Sequence, residues 1–310
     1  MNARDNTTRD CVVIGAGAAG LSAALTLGRA RRGTLVVDAG RQSDLAAPGI
    51  GGLLGQDGRP PAEFYARGRA ELASYPSVEL YRGEVVSGVR EADGSFTLAL
   101  GDGRRERARS VVLAPGTDYR YPRVPGMDER WGRTVFHCPF CRGWEVRGRT
   151  LGVLASGAVG VHGALNLRAW SERVTLLTHG RELSAQEHER LAAGGVAVDE
   201  RPLAALDGPG TALRSLTFAD GGELPLDALL VKTILHQRSP LARGLGASLT
   251  EPDEMLSVEA ITVDPMGRTG VPRLYAAGDA AASTPPSVAS ALASGHLAGA
   301  TASVELVAGR

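Results

Sequence analysis

The chain has 310 residues, 43% of them hydrophobic and 22% charged, with 34 Lys+Arg set against 34 Asp+Glu. That length suits two domains or one large α/β unit. The composition excludes a disordered chain, and zero net charge argues against a nucleic acid or a membrane surface held by bulk charge. There are 41 glycines, about 13% where ~7% is typical, as expected of a chain that turns often and brings its backbone close to a ligand. The opening residues MNARDNTTRD are polar and do not read as a secretory leader. No run approaches the ~18 apolar residues of a spanning helix. Only three cysteines occur, Cys11, Cys138 and Cys141, too few for a secreted disulfide framework, so a cytoplasmic location is expected.

Taken in chain order, Asp10–Ile14 reads as a short strand rich in β-branched residues, stopped by Gly15. Ala18–Arg29 reads as an Ala/Leu-rich helix and Thr34–Val37 as a second buried strand, which completes a βαβ unit. A loop rich in Gly, Pro and Asp runs from Ala39 to Pro61, followed by a helical stretch near Ala62–Ser74. Strand-like segments follow at Val78–Tyr81, Glu84–Glu91, Ser95–Leu100 and Ser110–Leu113. A second βαβ pattern begins at Thr150–Leu154 and returns in Val174–Leu177. Near the end, Arg273–Ala276 reads as a strand leading into Gly278-Asp279, with a Ser/Ala/Gly-rich helix from about Ser287. The two βαβ patterns and their order predict an α/β protein of two nucleotide-type domains, the second inserted into the first, with linkers near Thr117–Arg120 and His236–Pro240.

Gly15-Ala16-Gly17-Ala18-Ala19-Gly20 sits directly after a strand and opens a helix, the context that a dinucleotide fingerprint requires. Gly15 permits the tight turn, Gly17 lets backbone approach a pyrophosphate, and Gly20 lets helix and strand pack closely. The helix start supplies N–H groups and a partial positive charge to phosphates. Asp38 ends the second strand, where a carboxylate can accept hydrogen bonds from a ribose. FAD is favoured over NAD by Tyr275-Ala276-Ala277-Gly278-Asp279, where Asp279 can hold the ribityl and pyrophosphate region of a flavin. The third strand, Val111–Thr117, with Ala114 and Gly116 in its LAPGT ending, supports the same reading.

His137-Cys138-Pro139-Phe140-Cys141-Arg142-Gly143 is the chemical centre. CxxC spacing can bring two sulfurs within disulfide range inside one helical turn. With Cys138 as N-cap, Pro139 takes the first helical position, where its missing N–H costs nothing. A redox dithiol is the favoured reading over a metal site or two inert packing cysteines, since zinc needs about four ligands and only Cys11, inside a strand, is left. No metal is expected.

The order GAGAAG, LAPGT, CPFC, YAAGDAA resembles the low-molecular-weight thioredoxin reductase family across nearly the whole chain. The resemblance implies two Rossmann-like domains (three-layer ββα, doubly wound), usually in a homodimer. An FAD-binding domain would span 1–118 and 238–310, interrupted by an NADPH-domain-like domain, 119–237, that carries the cysteine pair. It further implies that Cys141 faces the flavin C4a while Cys138 exchanges with substrate. Asp38, Ala39, Gly40, Arg41 and Gln42 would wrap the adenosine, and Val85 would meet the adenine. Ser287 and Val288 would face the flavin pyrimidine ring through backbone N–H groups.

The sequence departs from that family at four places, one of them Ser287, where the family often has Gln. Ala155-Ser156-Gly157-Ala158-Val159-Gly160 lacks the first glycine of GxGxxA. Where the family carries paired arginines for the NADPH 2′-phosphate, this chain has Thr178-His179-Gly180 with only Arg181 nearby, and neither His nor Gly replaces an arginine fork. Arg142 stands where bacterial thioredoxin reductases carry an acid, which makes His137 the candidate proton carrier, or else a residue that orients the loop. HCPFCRGWEV with the degraded phosphate site is similar to the dithiol oxidases of gliotoxin, holomycin and romidepsin biosynthesis, the holomycin type favoured. By that resemblance, electrons run from a small-molecule dithiol to FAD and then to molecular oxygen. An NADPH- or ferredoxin-dependent reductase is the alternative. Phe140, Tyr119, Tyr121, Trp131 and Trp144 either line a pocket for a small heterocycle or pack the domain junction. His296 reads as a packing residue more readily than as a proton relay.

Overall fold

The computed structural model describes residues 8–253, 256–282 and 285–308. In chain order the elements are β1 (Arg9–Ile14), α1 (Ala18–Arg29), β2 (Thr34–Asp38), α2 (Pro61–Leu72), β3 (Val78–Arg82), β4 (Val85–Arg90), β5 (Phe96–Leu100), β6 (Arg105–Leu113) and β7 (Thr117–Arg120). Next come β8 (Val135–Phe136), α3 (Pro139–Arg142), β9 (Thr150–Leu154), α4 (Gly157–Leu167), β10 (Arg173–Leu177), α5 (Ala185–Ala193) and β11 (Ala197–Asp199). Then follow β12 (Leu203–Asp207), β13 (Ser215–Phe218), β14 (Glu223–Pro225), β15 (Ala228–Val231), β16 (Ile234–Gln237), α6 (Leu241–Gly244), β17 (Leu274–Ala276) and α7 (Val288–Ala308). The chain divides into two compact units, one of Met1–Ser43, Ala62–Tyr119 and Leu235–Arg310, the other of Asp44–Pro61 and Arg120–Ile234.

The first unit is built on a seven-stranded sheet ordered β3-β2-β1-β6-β5-β4, with β17 pairing β6. β1, β2, β3, β6 and β17 run parallel to one another, and β4 and β5 form an antiparallel extension. Every residue of β2 is buried, as expected of a parallel strand covered on both faces. Alternation sorts the side chains of β1. Cys11 and Val13 pack with Ala23, Leu27, Leu72 and Ala298 from the helices, whereas Val12 and Ile14 pack with Phe96, Leu98, Leu241 and Ile261 on the opposite face. Helices on one face and strands with loops on the other give a three-layer α/β unit.

Helix α7 lies on α1 because two of its residues lack side chains. A Cβ on Gly295 would stand 2.1 Å from the Ala19 carbonyl oxygen, and one on Gly299 would stand 2.7 Å from that of Ala23. Ser22 Oγ on α1 donates to the Leu292 carbonyl at 2.7 Å across the same contact. His296 sits at its edge, its Nδ1 3.0 Å from Thr26 Oγ1, a contact between helices.

The second unit repeats the plan on a parallel sheet ordered β11-β10-β9-β15-β8. α4 and α5 cover one face through Val161, Ala164, Leu167 and Leu191. The other face packs against the antiparallel sheet β12-β13-β14 through Leu203, Leu216 and Phe218. Buried Arg130 ties the start of this unit to the β12–β13 connection, donating to the carbonyls of Gly126, Gly208 and Ala212 at 2.6, 2.6 and 3.0 Å. The sequence reading keeps 44–61 with the first domain, but this segment groups with the second unit. Gly132 shows why, since a Cβ there would lie 3.0 Å from Ala46. The short strands β7 and β16 pair with each other.

Adding one methyl group at Gly295 forces α7 off α1. Gly295→Ala is expected to cost about 1–3 kcal/mol of unfolding free energy, read as a lowered denaturant midpoint; an unchanged midpoint would show that the helices separate freely.

Candidate active site

In the first unit the residues singled out from the sequence gather at the carboxyl ends of the parallel strands, the place where open α/β sheets bind ligands. Gly15, at φ 105°, presses its α-carbon against the Ala114 carbonyl, and a Cβ would be 2.1 Å from that oxygen. Gly20 in turn sits on the Gly15 carbonyl, with only 1.8 Å for a Cβ. Gly17 differs: a Cβ there would meet only Gln42 Cγ, at 3.8 Å. It also caps α1 with no side-chain hydrogen bond, so the first N–H groups of the helix are not taken by a side-chain cap. Ala16 and Ala18, on either side, are buried.

Asp38 is buried at the end of β2 and organises the loop that follows. Its Oδ1 accepts from the Gly40 N–H at 2.8 Å and the Gln42 amide at 3.1 Å, while Arg69 Nε donates to Oδ2 at 3.3 Å. Gln42 also donates to the Ala16 carbonyl at 3.2 Å, which joins this loop to the glycine turn. Ala39 is exposed, and Arg41 pairs with Glu84. Val85 opens β4, but its side chain lies in the core beside Phe96 and Leu98, so only its backbone is available to a ligand. Gly116, at φ 68°, ends the LAPGT loop.

Gly278, at φ 72°, sits close to Ala19, and its N–H donates to Ser294 Oγ at 3.0 Å. Asp279 accepts from Tyr119 Oη at 2.8 Å. Ser287 Oγ accepts from the Ser290 N–H at 3.0 Å, so Ser287 caps α7, and Val288 is partly buried against the helix core. Two buried polar atoms of this unit, Thr117 Oγ1 and Gln237 Oε1, have no hydrogen-bond partner among the described residues. An open glycine turn at a helix start, a loop organised by a carboxylate and orphaned polar atoms together fit a dinucleotide such as FAD.

The second unit carries the sulfurs. Cys138 and Cys141 form a disulfide, with Cα atoms 5.3 Å apart. Cys138 is the N-cap of α3, and its Sγ accepts from the Cys141 N–H at 3.1 Å, with Pro139 in the first turn. The loop is wedged from two sides. Gly51 approaches so closely that a Cβ would fall 2.2 Å from the Cys141 carbonyl oxygen, and Gly143 lies on the Trp170 indole with 2.8 Å for a Cβ. Trp170 also meets Phe140 edge-on, ring centres 5.3 Å apart. Neither Gly51 nor Trp170 stands out in the sequence, although the Gly-Gly pair at 51–52 is a signal of close approach.

His137 stacks on Trp131 at 5.7 Å, and Trp131 stacks on Tyr121 at 4.3 Å. Thus Tyr121, Trp131 and His137 come together. Phe140 is 73% exposed against Trp170, Trp144 is 65% exposed beneath the Arg147 guanidinium, and Tyr119 belongs to the first unit. Crowding by protein pushes the His137 pKa down to about 4 through desolvation. The ring also keeps surface in water, and the shift is toward the neutral form.

The second fingerprint differs from the first in its backbone. The left-handed residue is Gly157, at φ 59°, with open space around it, and Ala155 takes the place of the first glycine without a positive φ. Gly160 keeps the packing role, 2.9 Å from the Ala155 carbonyl oxygen for a Cβ. After β10, His179 is used by the fold, its Nδ1 accepting from the Leu203 N–H at 2.9 Å. A shallow cavity of about 340 Å³ opens beside it, lined by Gly180, Arg181, Glu182, Glu200 and Arg201. Arg201 is held by Asp199 and Asp220 at 2.7 and 3.2 Å. Among the described residues no cluster of three or more His, Cys, Asp or Glu is arranged to hold a metal, and no helix is long and apolar enough to cross a membrane.

Two nucleotide-type units with a disulfide in the second define the class, a flavin-linked disulfide oxidoreductase. The chain belongs to the pyridine nucleotide-disulphide oxidoreductase family, whose model matches residues 9–295, and as a thioredoxin reductase-like member it binds FAD. It is 34% identical to the thioredoxin reductase tcpT of Claviceps purpurea, over 96% of this chain and 94% of that one. The crystal structure of an oxidoreductase from Agrobacterium tumefaciens superposes with a TM-score of 0.91 at 36% identity, covering 98% of this chain and 100% of that one. The structure of HlmI superposes with a TM-score of 0.90 at 35% identity, covering 97% and 93%.

His137 gives a pH signature. The unfolded imidazole takes its proton near pH 6.5 and the folded one near pH 4, so between those values the unfolded state binds more protons. The stability tied to the neutral ring is present above pH 6.5 and is lost as pH falls toward 4. Denaturation midpoints of His137→Asn are expected to fall less steeply over that window than those of the parent; parallel profiles would show an unshifted imidazole.

Proposed function

We propose that this protein is an FAD-dependent dithiol oxidase that closes an intramolecular disulfide in a small-molecule dithiol, of the dithiolopyrrolone or epidithio kind, and reduces oxygen to hydrogen peroxide. The observation that carries this reading is the turn after β10. There His179 is committed to Leu203, Arg201 lies between two aspartates, and Glu182 and Glu200 share the cavity with Arg181. Such a charge balance is a poor grip for a 2′-phosphate, which is held best by arginine forks. The cysteine pair supports the reading, since Cys138 and Cys141 are joined and Cys138 Sγ accepts from the Cys141 N–H.

In this reading one substrate thiolate attacks Cys138 Sγ, forming a mixed disulfide and releasing Cys141 as thiolate. The second substrate thiol then displaces Cys138, so the substrate leaves as a cyclic disulfide and both cysteines are reduced. Two electrons enter the protein and two protons are released. The Cys141 N–H that donates to Cys138 Sγ favours sulfur that carries negative charge, and therefore favours Cys138 as leaving group. His137, neutral at pH 7, accepts a thiol proton; a thiolate formed beside it raises its otherwise weak basicity. Gly15–Gly20, Asp38–Gln42, Ala114–Gly116, Gly278-Asp279 and Ser287-Val288 would hold FAD, which would supply a two-electron acceptor for the reduced cysteine pair and a donor to oxygen. A homodimer in the cytoplasm belongs to the same proposal.

The reductase names of several relatives favour a second reading, an NADPH- or ferredoxin-dependent disulfide reductase. Oxygen uptake by the yellow protein with a reduced dithiolopyrrolone, beside anaerobic mixing with NADPH, separates the two. The oxidase reading expects peroxide equal to the disulfide formed, no prompt bleaching of the flavin band by NADPH, and loss of turnover with retained FAD in Cys138→Ser. Rapid bleaching by NADPH with no oxygen uptake on dithiols would give the protein to the reductases.

A further inference from the structure

We infer that Arg238 is a positioning residue for FAD, one guanidinium that holds two cofactor loops of the first unit in register with each other. The inference rests on the reading that FAD lies in the GAGAAG cradle. Arg238 follows β16, and only 14% of its side chain is exposed. Its Nε donates to Asp118 Oδ1 at 2.8 Å, and Nη2 donates to the Thr117 carbonyl at 2.7 Å and reaches Ser43 Oγ at 3.5 Å. Its Nη1 donates to the Arg41 carbonyl and, at 3.3 Å, to the Pro115 carbonyl. Gly116 packs against the same group, and a Cβ there would lie 3.5 Å from Nη1.

The side chain therefore bridges the loop after β2, which Asp38 and Gln42 organise, and the loop after β6, whose Ala114 carbonyl receives Gly15. These are two of the five segments of the cradle, and they come from chain positions far from residue 238. The geometry requires arginine. Its planar fork directs several N–H groups at once to carbonyls in different directions, whereas a lysine ammonium serves fewer of them from a point charge. Arg238 belongs to neither apolar cluster of the first unit, which are built from the sheet, α1, α2, α6, α7 and the segments between them. Its removal thus loosens two loops and leaves the core intact. Among the described residues, four of its five acceptors are backbone carbonyls or a hydroxyl, so its role is geometric, and Asp118, half exposed, is the one charge partner.

The test is FAD rebinding to deflavinated protein, followed by quenching of flavin fluorescence, with thermal midpoints measured on apo and holo forms. Arg238→Met is expected to weaken FAD on the order of 10–100-fold, as lost charge-assisted hydrogen bonds do, and Arg238→Lys by several-fold less. The apo midpoints should stay close to that of the parent, so that the gap between apo and holo midpoints narrows. A purely structural role would lower apo and holo midpoints together and leave the FAD dissociation constant alone, which overturns the inference. Should Arg238→Met not fold, Arg238→Lys decides alone: a dissociation constant equal to the parent's overturns it and a raised one supports it. Gly17→Val, measured alongside, keeps the two failures apart. If it retains FAD the cradle reading itself falls; if it loses FAD while Arg238→Met binds as the parent does, only the role of Arg238 falls.

Discussion

The first unit depends on a contact that leaves room for a hydrogen and nothing larger. The α-carbon of Gly15 rests on the carbonyl of Ala114, and Gly20 rests on the carbonyl of Gly15. Through this stack the ends of β1 and β6 and the start of α1 share one point, and the loops that leave them are aimed at a common space. Around it the unit adds polar tethers in place of bulk. Asp38 gathers Gly40, Gln42 and Arg69, and Gln42 reaches back to Ala16. Gly17 stays open on its flank, with Gln42 Cγ as the one group a Cβ there would meet among the described residues, at 3.8 Å.

The second unit has the same layers without that contact. Ala155 stands where the tight turn would be, Gly157 carries the left-handed backbone two residues later, and the surroundings of Gly157 are empty. The packing glycine, Gly160, remains. A helix can still cross its sheet there, so the architecture persists while the grip on a ligand is altered. The chemistry has moved to a one-turn helix, wedged between the backbone of Gly51 and the face of Trp170. One scaffold therefore appears twice in the chain, once as a holder and once as a platform for sulfur.

Much of this was legible in the residues. Strong β-branched runs such as CVVI and TLVV, with a glycine at the end, name buried parallel strands, and GAGAAG and YAAGDAA place the turns. Cys138 as cap with Pro139 following is readable from four letters. The strands β12 to β14 escape such reading because each has five residues or fewer and a mixed pattern that packing completes. The membership of 44–61 in the second unit is equally hidden, since it rests on close approach at Gly51 and Gly132. Arg238 is silent for another reason. Its acceptors are mainly backbone atoms brought together by the fold, and no local pattern announces a long-range carbonyl cluster. The aromatic residues around the cysteines look like one group in the sequence, yet they divide between the Tyr121–Trp131–His137 stack and separate contacts of Phe140 and Trp144.

In the proposed mechanism the sulfur of Cys138 has two duties, terminating α3 and exchanging its covalent partner. A hydrogen-bond acceptor whose charge changes during turnover makes the order of that single helical turn a function of oxidation state. The anionic form binds the Cys141 amide more strongly than the disulfide form does. When the sulfur–sulfur bond opens, the peptide that loses its covalent strap is therefore the one whose cap strengthens. In that mechanism the loop trades one restraint for another at each cycle.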